Sequence, residues 1–319
     1  MSPAPLRTIS RVIRLHVIPP VERYAALASL VAGLGLLGIK FVAYWMTDSP
    51  AIFADAVESI VNVMAAVFAL WALSIAHTPA DEDHPYGHGK AEFLSAGFEG
   101  GMILIAAVMI LIRTIDLVFF HEIVPGRLDT GVVLLAIAMV INLGLGFVLV
   151  RVGKSRRSLT LEADGHHLLS DAVTSVAVLI SLFVVLWTGW RWADPLAAAL
   201  VSVYIAYMGM RLIRQSTAGL MDKQDAHDGQ VLVAILDSHV GPGGKEPHIC
   251  SYHKLRHRHS GRFHWVDFHV LVPRHLDVAA GHHIASEIEH EMEVTLGEGN
   301  ATAHVEPCDG AGCGRCGQS

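Results

Sequence analysis

Apolar residues fall into long runs before residue 215 of this chain and into short periodic ones after it. Six runs reach the roughly 20 residues that carry a helix across a bilayer: 24–47, 51–76, 93–120, 130–150, 163–187 and 193–213. The second and fifth are interrupted by polar groups, and the interruptions share one spacing. Asp55, Glu58 and Asn62 stand at i, i+3 and i+7; Asp164, His167 and Asp171 repeat that spacing 109 residues later. On a helix these steps form one stripe. Each of the two spans therefore presents a single polar face.

Beyond residue 222 the period changes. Residues 231–240 have helical spacing, and 251–258 and 263–272 alternate as strands around Ser260-Gly261. Ile284, Ile288, Met292 and Leu296 recur at steps of four within 278–296, and 301–306 makes a short last strand. The order α-β-β-α-β predicts a small α+β domain of the ferredoxin-like, metallochaperone-like kind. In its second strand Val266, Phe268, Val270 and Val272 share the core face, which turns Trp265, Asp267 and His269 outward. The expected division is a cytosolic segment 1–22, a six-helix transmembrane domain 23–215, a cytosolic domain 216–307 and a Cys/Gly-rich tail 308–319.

Composition agrees with a membrane protein: of 319 residues, 52% are hydrophobic and 17% charged, against about 25% charged in soluble chains. Arg7, Arg11, Arg14 and Arg23, then Lys90, then Arg151, Lys154, Arg156 and Arg157, then Arg211, Arg214 and Lys223 mark one side. The opposite loops offer Arg127 and Arg191. The positive-inside rule puts both termini in the cytosol. Residues 1–20 hold no apolar core with a cleavage site, so no cleaved signal peptide is expected. Of the 20 His, 13 lie in residues 222–319, and the net charge is −7. That composition suits metal ions or protons, and not nucleic acid. Cys250, Cys308, Cys313 and Cys316 all fall on the cytosolic side, where thiols stay reduced and a disulfide framework is not expected.

An ionisable group in the hydrocarbon costs about 2.5–3.5 kcal/mol, so two charged stripes call for a partner. A cation fits. Glu58, Asn62, His167 and Asp171 offer three oxygen donors and one nitrogen, a set that suits Zn²⁺ and its first-row neighbours. Asp55 and Asp164, one turn away, would form an outer shell or a first stop. The competing reading is hydrogen-bonded helix packing; two aligned triplets favour the ion. His166 lies one position off the stripe and reads as a helix contact. In the loop after the second span, Asp81, His84 and His88 offer two nitrogens and one oxygen, and Pro85 and Gly87 bend the chain so that these converge. A solvated polar loop is the alternative. His304 and Glu306, two apart on a strand, project the same way. Cys308, Cys313 and Cys316 have a spacing that holds a soft ion, or belong to a disordered end.

The segment His84-Pro85-Tyr86-Gly87-His88-Gly89-Lys90-Ala91-Glu92, with the two Ala-Asp helices, six spans and His-rich end, resembles the cation diffusion facilitator family over residues 20–307. The resemblance implies a multi-pass homodimer in a cell membrane, here a bacterial inner membrane. It implies exchange of cytosolic Zn²⁺, or a related ion, for protons by alternating access. Its transport site maps onto Glu58, Asn62, His167 and Asp171. It also implies a binuclear zinc site from His253, His269, His282, His304 and Glu306, with Glu306 where the family often has Asp, and a dimer-locking pair of Lys90 with Asp222. His257, His259, His264, His275, His283 and His290 match nothing in it and are expected at the surface.

The family usually carries His or Asp, then Asp, where this chain has Glu58 and Asn62. One charge is lost and one arm lengthened. Fe²⁺, Co²⁺, Ni²⁺, Cd²⁺ and Mn²⁺ therefore stand beside Zn²⁺ as cargo, with Mn²⁺ disfavoured by the imidazole of His167. Imidazole titrates near neutral pH, so His167 is the expected proton exchanger. A membrane metal sensor without transport would share the soluble domain. No H-E-x-x-H occurs, and no enzyme activity is expected.

Overall fold

The computed structural model describes residues 17–47, 50–120, 130–190 and 192–308. Two compact units make up the chain, Met1–Thr217 and Ala218–Ser319.

The first unit consists of long helices: α1 (Pro20–Thr47), α2 (Pro50–Ala76), α3 (Ala91–Phe120), α4 (Thr130–Arg156), α5 (Leu159–Thr188) and α6 (Ala193–Leu220). Pro20 and Pro50 open α1 and α2 at the position where a missing N–H costs nothing. Among the described residues, four segments are long and apolar enough to cross a membrane: Pro20–Val42, Ala91–Asp116, Ala136–Arg156 and Pro195–Leu220. Among the described residues of α2, Asn62–Ala76 is apolar.

Small and aliphatic residues join the helices. Leu70 and Leu73 of α2 pack with Leu149 of α4 and Leu161 and Leu168 of α5. Ala96, Ile103 and Ala107 of α3 pack with Ala163 of α5 and Ile205 and Leu212 of α6. The α4–α5 contact is backbone-close at Gly146 and Gly165. A Cβ on Gly165 would stand 2.7 Å from the Val150 backbone nitrogen and 2.9 Å from the Gly146 carbonyl. Ile105, Met109, Phe147, Leu200 and Val203 are exposed on the outside of the unit, as lipid-facing side chains would be.

One end of the unit is tied by buried polar groups that the apolar pattern did not reveal. His77, just past α2, has Nε2 3.0 Å from Glu22 Oε2 of α1 and Nδ1 2.9 Å from the Leu73 carbonyl. Glu92 at the start of α3 accepts from Ser158 Oγ at 2.6 Å and from the Thr160 amide at 3.4 Å. The start of α3 and the α4–α5 turn therefore lie at the same end.

The second unit comprises α7 (Ala226–His239), β1 (Ser251–Ser260), β2 (Phe263–Val272), α8 (Val278–Leu296) and β3 (Gly299–Pro307). The sheet order is β1-β2-β3, antiparallel then parallel, and α8 is the crossover between the parallel strands. Helix α7 starts five residues before its apolar spacing does, because Asp225 caps it, accepting from the His227 and Asp228 amides. Asp277 caps α8 in the same way through Ala280. Leu232 and Leu236 of α7, Val266, Phe268 and Val270 of β2, and Ile288 and Met292 of α8 form the core.

Two expectations fail here. His257 and His264 are buried rather than superficial, at 6% and 3% exposure. The strand period explains both: His264 precedes Val266 by two residues, and His257 faces Val266 across the ladder, so both lie on the core face. His264 Nδ1 stands 3.3 Å from Asp228 Oδ2, and His257 Nε2 donates to the Asp225 carbonyl at 2.9 Å. Cys250 is disulfide-bonded, against the expectation of four reduced thiols. Cys308 is free, and Cys313 and Cys316 lie outside the described residues.

Candidate metal centres

Inside the helical unit three of the four candidate cage residues meet. Asn62 Nδ2 donates to Asp171 Oδ2 at 2.7 Å. His167 Nε2 donates to Asn62 Oδ1 at 3.0 Å. The amide of Asn62 thus bridges α2 and α5, giving to one side chain and receiving from the other. A carboxylate at this position could receive but not give. Asp55 and Glu58 lie on α2, and their side chains are outside the described residues. Asp164 is buried and hydrogen-bonds Ser29 of α1, one turn before His167. His166, off the stripe, has Nε2 3.5 Å from Glu162 one turn back.

The loop between α2 and α3 holds a second cluster, Asp81, His84 and His88, whose ligand atoms all lie within 4.8 Å of one another. Gly87 at φ 77° allows the tight turn that brings its amide to the His84 carbonyl at 2.9 Å. The His84 amide donates to Asp81 Oδ1 at 2.8 Å and holds that carboxyl below its usual range. His88 Nδ1 donates to the Thr78 carbonyl at 3.3 Å. That bond fixes the ring with Nε2 directed at Asp81 Oδ2, 3.5 Å away, too far for a good hydrogen bond and well placed for an ion between them. A backbone carbonyl orienting a histidine from behind is the usual support of a metal ligand.

On the sheet, register does the assembling. His253 pairs with His269, and His269 with His304, so one histidine from each strand forms a row. Ring centroids are 5.0 and 4.7 Å apart along it. Glu306 lies beside the row: His269 Nδ1 donates to Oε1 at 2.7 Å, and His253 Nε2 is 3.3 Å from Oε2. The bond from His269 holds the Glu306 carboxyl below its usual range. His253, His269 and Glu306 fall within 4.8 Å as a candidate ligand group. The ladder slips between His253 and Arg256, where Lys254 has φ 51°, a bulge that aims His253. His282, on α8, is exposed, and no described contact joins it to the row.

Asp222 Oδ2 accepts from Arg258 Nη1 at 3.1 Å within the second unit. Lys90 belongs to the first unit. The sequence reading missed the buried acid Glu99 on α3, beside Asp164; an acidic residue inside an apolar 30-residue helix was the available signal.

Residues 26–221 match the cation efflux transmembrane domain, and residues 244–308 the cytoplasmic domain of cation efflux proteins. An uncharacterized transporter of Synechocystis, sll1263, is 37% identical over 292 residues, covering 91% of each chain. The cation-efflux pump FieF of Cronobacter sakazakii is 32% identical over 90% of this chain and 93% of its own. FieF of Citrobacter koseri is 30% identical with the same coverage. With helices long and apolar enough to cross a membrane, matches to both the transmembrane and the cytoplasmic domain models, and relatives that align over about nine-tenths of its length, the chain belongs to the cation efflux family of transporters.

Proposed function

We propose that this transporter exports divalent transition-metal ions, Zn²⁺ first among them, from the cytosol in exchange for protons. It would do so as a homodimer by alternating access, from a bacterial inner membrane, with six spans and both termini cytosolic. The transmembrane domain is taken as residues 23–215 and the cytosolic domain as 216–307. The observation that carries this reading is the bonded set Asn62, His167 and Asp171. Three polar side chains on two helices hold one another where hydrocarbon would penalise each alone.

Asn62 hydrogen-bonds the side chains of both its partners, Asp171 and His167. An arriving cation would replace those hydrogen bonds with coordination by His167 Nε2, an Asp171 oxygen and the Asn62 carbonyl, with Glu58 as fourth donor and Asp55 and Asp164 outside them. His167 must lose its Nε2 proton, or turn its ring, to ligate; that couples metal to protons. One nitrogen among oxygens favours Zn²⁺, Fe²⁺, Co²⁺, Ni²⁺ or Cd²⁺ over Mn²⁺.

The loop set Asp81, His84 and His88 would hold a structural ion beside the way in. The row His253, His269 and His304 with Glu306, joined by His282, would hold the cytosolic zinc pair that draws two protomers together. Lys90 with Asp222 would lock the dimer, Asp222 already being held by Arg258. Of the tail thiols, Cys308 is free to serve a soft ion.

The test is Asp171→Ala in proteoliposomes. Metal-dependent proton flux is expected to vanish, and unchanged flux would sink the assignment. A sensor that does not transport would show no flux in the wild type either.

A further inference from the structure

The transport reading leaves unexplained a pair of buried acids. Glu99 of α3 and Asp164 of α5 are 1% and 3% exposed. Glu99 shares the α3 face of Ala96 and Ile103, which packs on Ala163 of α5, and Asp164, next to Ala163, is its acidic neighbour. Ser95 Oγ reaches Glu99 Oε1 at 3.4 Å, a weak bond, while Glu99 Oε2 is buried with no hydrogen-bond partner. Asp164 hydrogen-bonds Ser29 of α1. Among the described residues, no Lys or Arg is paired with either acid.

A buried carboxyl oxygen without a partner costs about 1–3 kcal/mol or more, and a second acid beside it raises that cost. Packing alone would be served better by Gln or Leu. The arrangement has the properties of a cation site: two carboxyls and two hydroxyls from three helices, all oxygen, with one oxygen uncommitted.

Its position suggests what the cation does there. Asp164 precedes His167 by three residues, so the two share a helix face one turn apart. Asp164 lies toward the start of α5, the end tied to α3 through Ser158 and Glu92. The acid pair therefore stands between that end and the Asn62–His167–Asp171 set. An all-oxygen pair holds a transition-metal ion less firmly than a set containing imidazole, so transfer runs toward His167.

We infer that Glu99 and Asp164 form a relay site, which takes a divalent cation from the cytosolic end and passes it to the cage around His167. The inference rests on the proposed transport through His167 and Asp171.

The experiment is Zn²⁺ uptake into proteoliposomes by full-length Glu99→Gln, measured as initial rate against Zn²⁺ concentration, with Glu99→Asp as conservative control. Loss of the relay carboxylate is expected to raise the apparent KM about tenfold, the lower range for a supporting group near a metal. It should leave kcat within about twofold, because the later steps do not involve it. Glu99→Asp should restore most of the KM. An unchanged KM overturns the relay, as does a fall in kcat at constant KM or a shift in pH profile alone; the last result would mark Glu99 as a proton carrier. Loss of both parameters with a lowered unfolding temperature, unrelieved in Glu99→Asp, assigns it to structure and overturns the relay too. Asp171→Ala separates the two claims: if that variant still transports, the transport reading has failed; if it does not and Glu99→Gln keeps its KM, only the relay has.

Discussion

The two candidate metal sites are built on opposite principles. In the helical unit, Asn62, His167 and Asp171 come from helices whose sites are 109 residues apart, and they hydrogen-bond one another. On the sheet, His253, His269 and His304 are neighbours by strand register alone, and His253 and His304 keep 42% and 65% of their side-chain surface exposed. A site in hydrocarbon must satisfy its polar groups with and without cargo, because no water is present to do so. A site on a wet sheet can lose its ion and be hydrated. The first arrangement suits binding that must be undone each cycle; the second suits an ion that stays or regulates.

The sharpest way to break that contrast is to remove one imidazole from each side. His167→Ala is expected to lower metal-dependent flux by on the order of 100-fold, at or beyond the upper range seen for outer-shell losses. His269→Ala should lower flux by less than about threefold while removing metal from the cytoplasmic domain, an outer-shell effect at most on transport. Flux in proteoliposomes and metal content of the purified protein measure the two. Equal flux losses would mean that the sheet site takes part in every cycle.

A second test strikes the frame of the helical site. Gly165 sits between Asp164 and the histidines, with Val150 and Gly146 backbone atoms already at 2.7–2.9 Å from where its Cβ would be. Gly165→Val must push α5 off α4, at a cost of about 1–3 kcal/mol by the usual penalty for overpacking. Both the thermal unfolding temperature and transport should fall. On the sheet, His304→Val meets open solvent, and stability should stay within about 0.5 kcal/mol.

Much of this was legible in the sequence, and the losses have physical reasons. The stripes were readable because helical periodicity places i, i+3 and i+7 on one face without regard to neighbours. What joins them, a bridging amide from Asn62, depends on which helix packs beside which. The same gap hid Glu22, His77, Glu92 and Ser158: each reads alone as an ordinary helix-end polar residue, and only packing makes them partners. His264 was different. The alternation that puts Val266, Phe268 and Val270 in the core extends to it without interruption, so its burial is readable; the expectation of a surface position rested on its matching nothing in the family pattern, which says nothing of burial. The row across the sheet needed register, which alternation alone does not fix. His282 matched by family position, yet no described contact brings it to that row.

Asn62→Asp sharpens the comparison from within the cage. The new carboxylate cannot donate to Asp171, so two acids face each other when no ion is bound, and a divalent cation relieves that. Metal affinity is expected to rise about tenfold, the equivalent of one unit in a coupled pKa, and proton release per ion bound to rise by about one. Isothermal titration in buffers of different ionisation enthalpy reads both. If affinity and proton count stay as in the wild type, Asn62 is a packing amide and not part of the cage.

The smallest expected effect lies in the clamp behind the sheet. His239 is buried, its Nδ1 donating to the Pro247 carbonyl at 2.9 Å and its Nε2 standing 3.1 Å from Glu291 Oε2. Lys245 reaches the same oxygen at 2.6 Å and holds the Glu291 carboxyl below its usual range. A carboxyl with a depressed folded value contributes stability above its unfolded value, and that contribution disappears as pH falls through the folded one. Lys245→Met raises the folded value toward the ordinary range. The stability loss should therefore be full at neutral pH, shrink as pH falls below the ordinary Glu range, and vanish once pH lies below the depressed folded value, where the carboxyl is protonated in both states. Because the lysine is more than half exposed, the loss at pH 7 should not exceed about 1 kcal/mol. Thermal unfolding of wild type and Lys245→Met, compared at pH 7 and at the acid end, measures it. A difference that persists at low pH would mean that the lysine stem, and not its charge, supports the loop before β1.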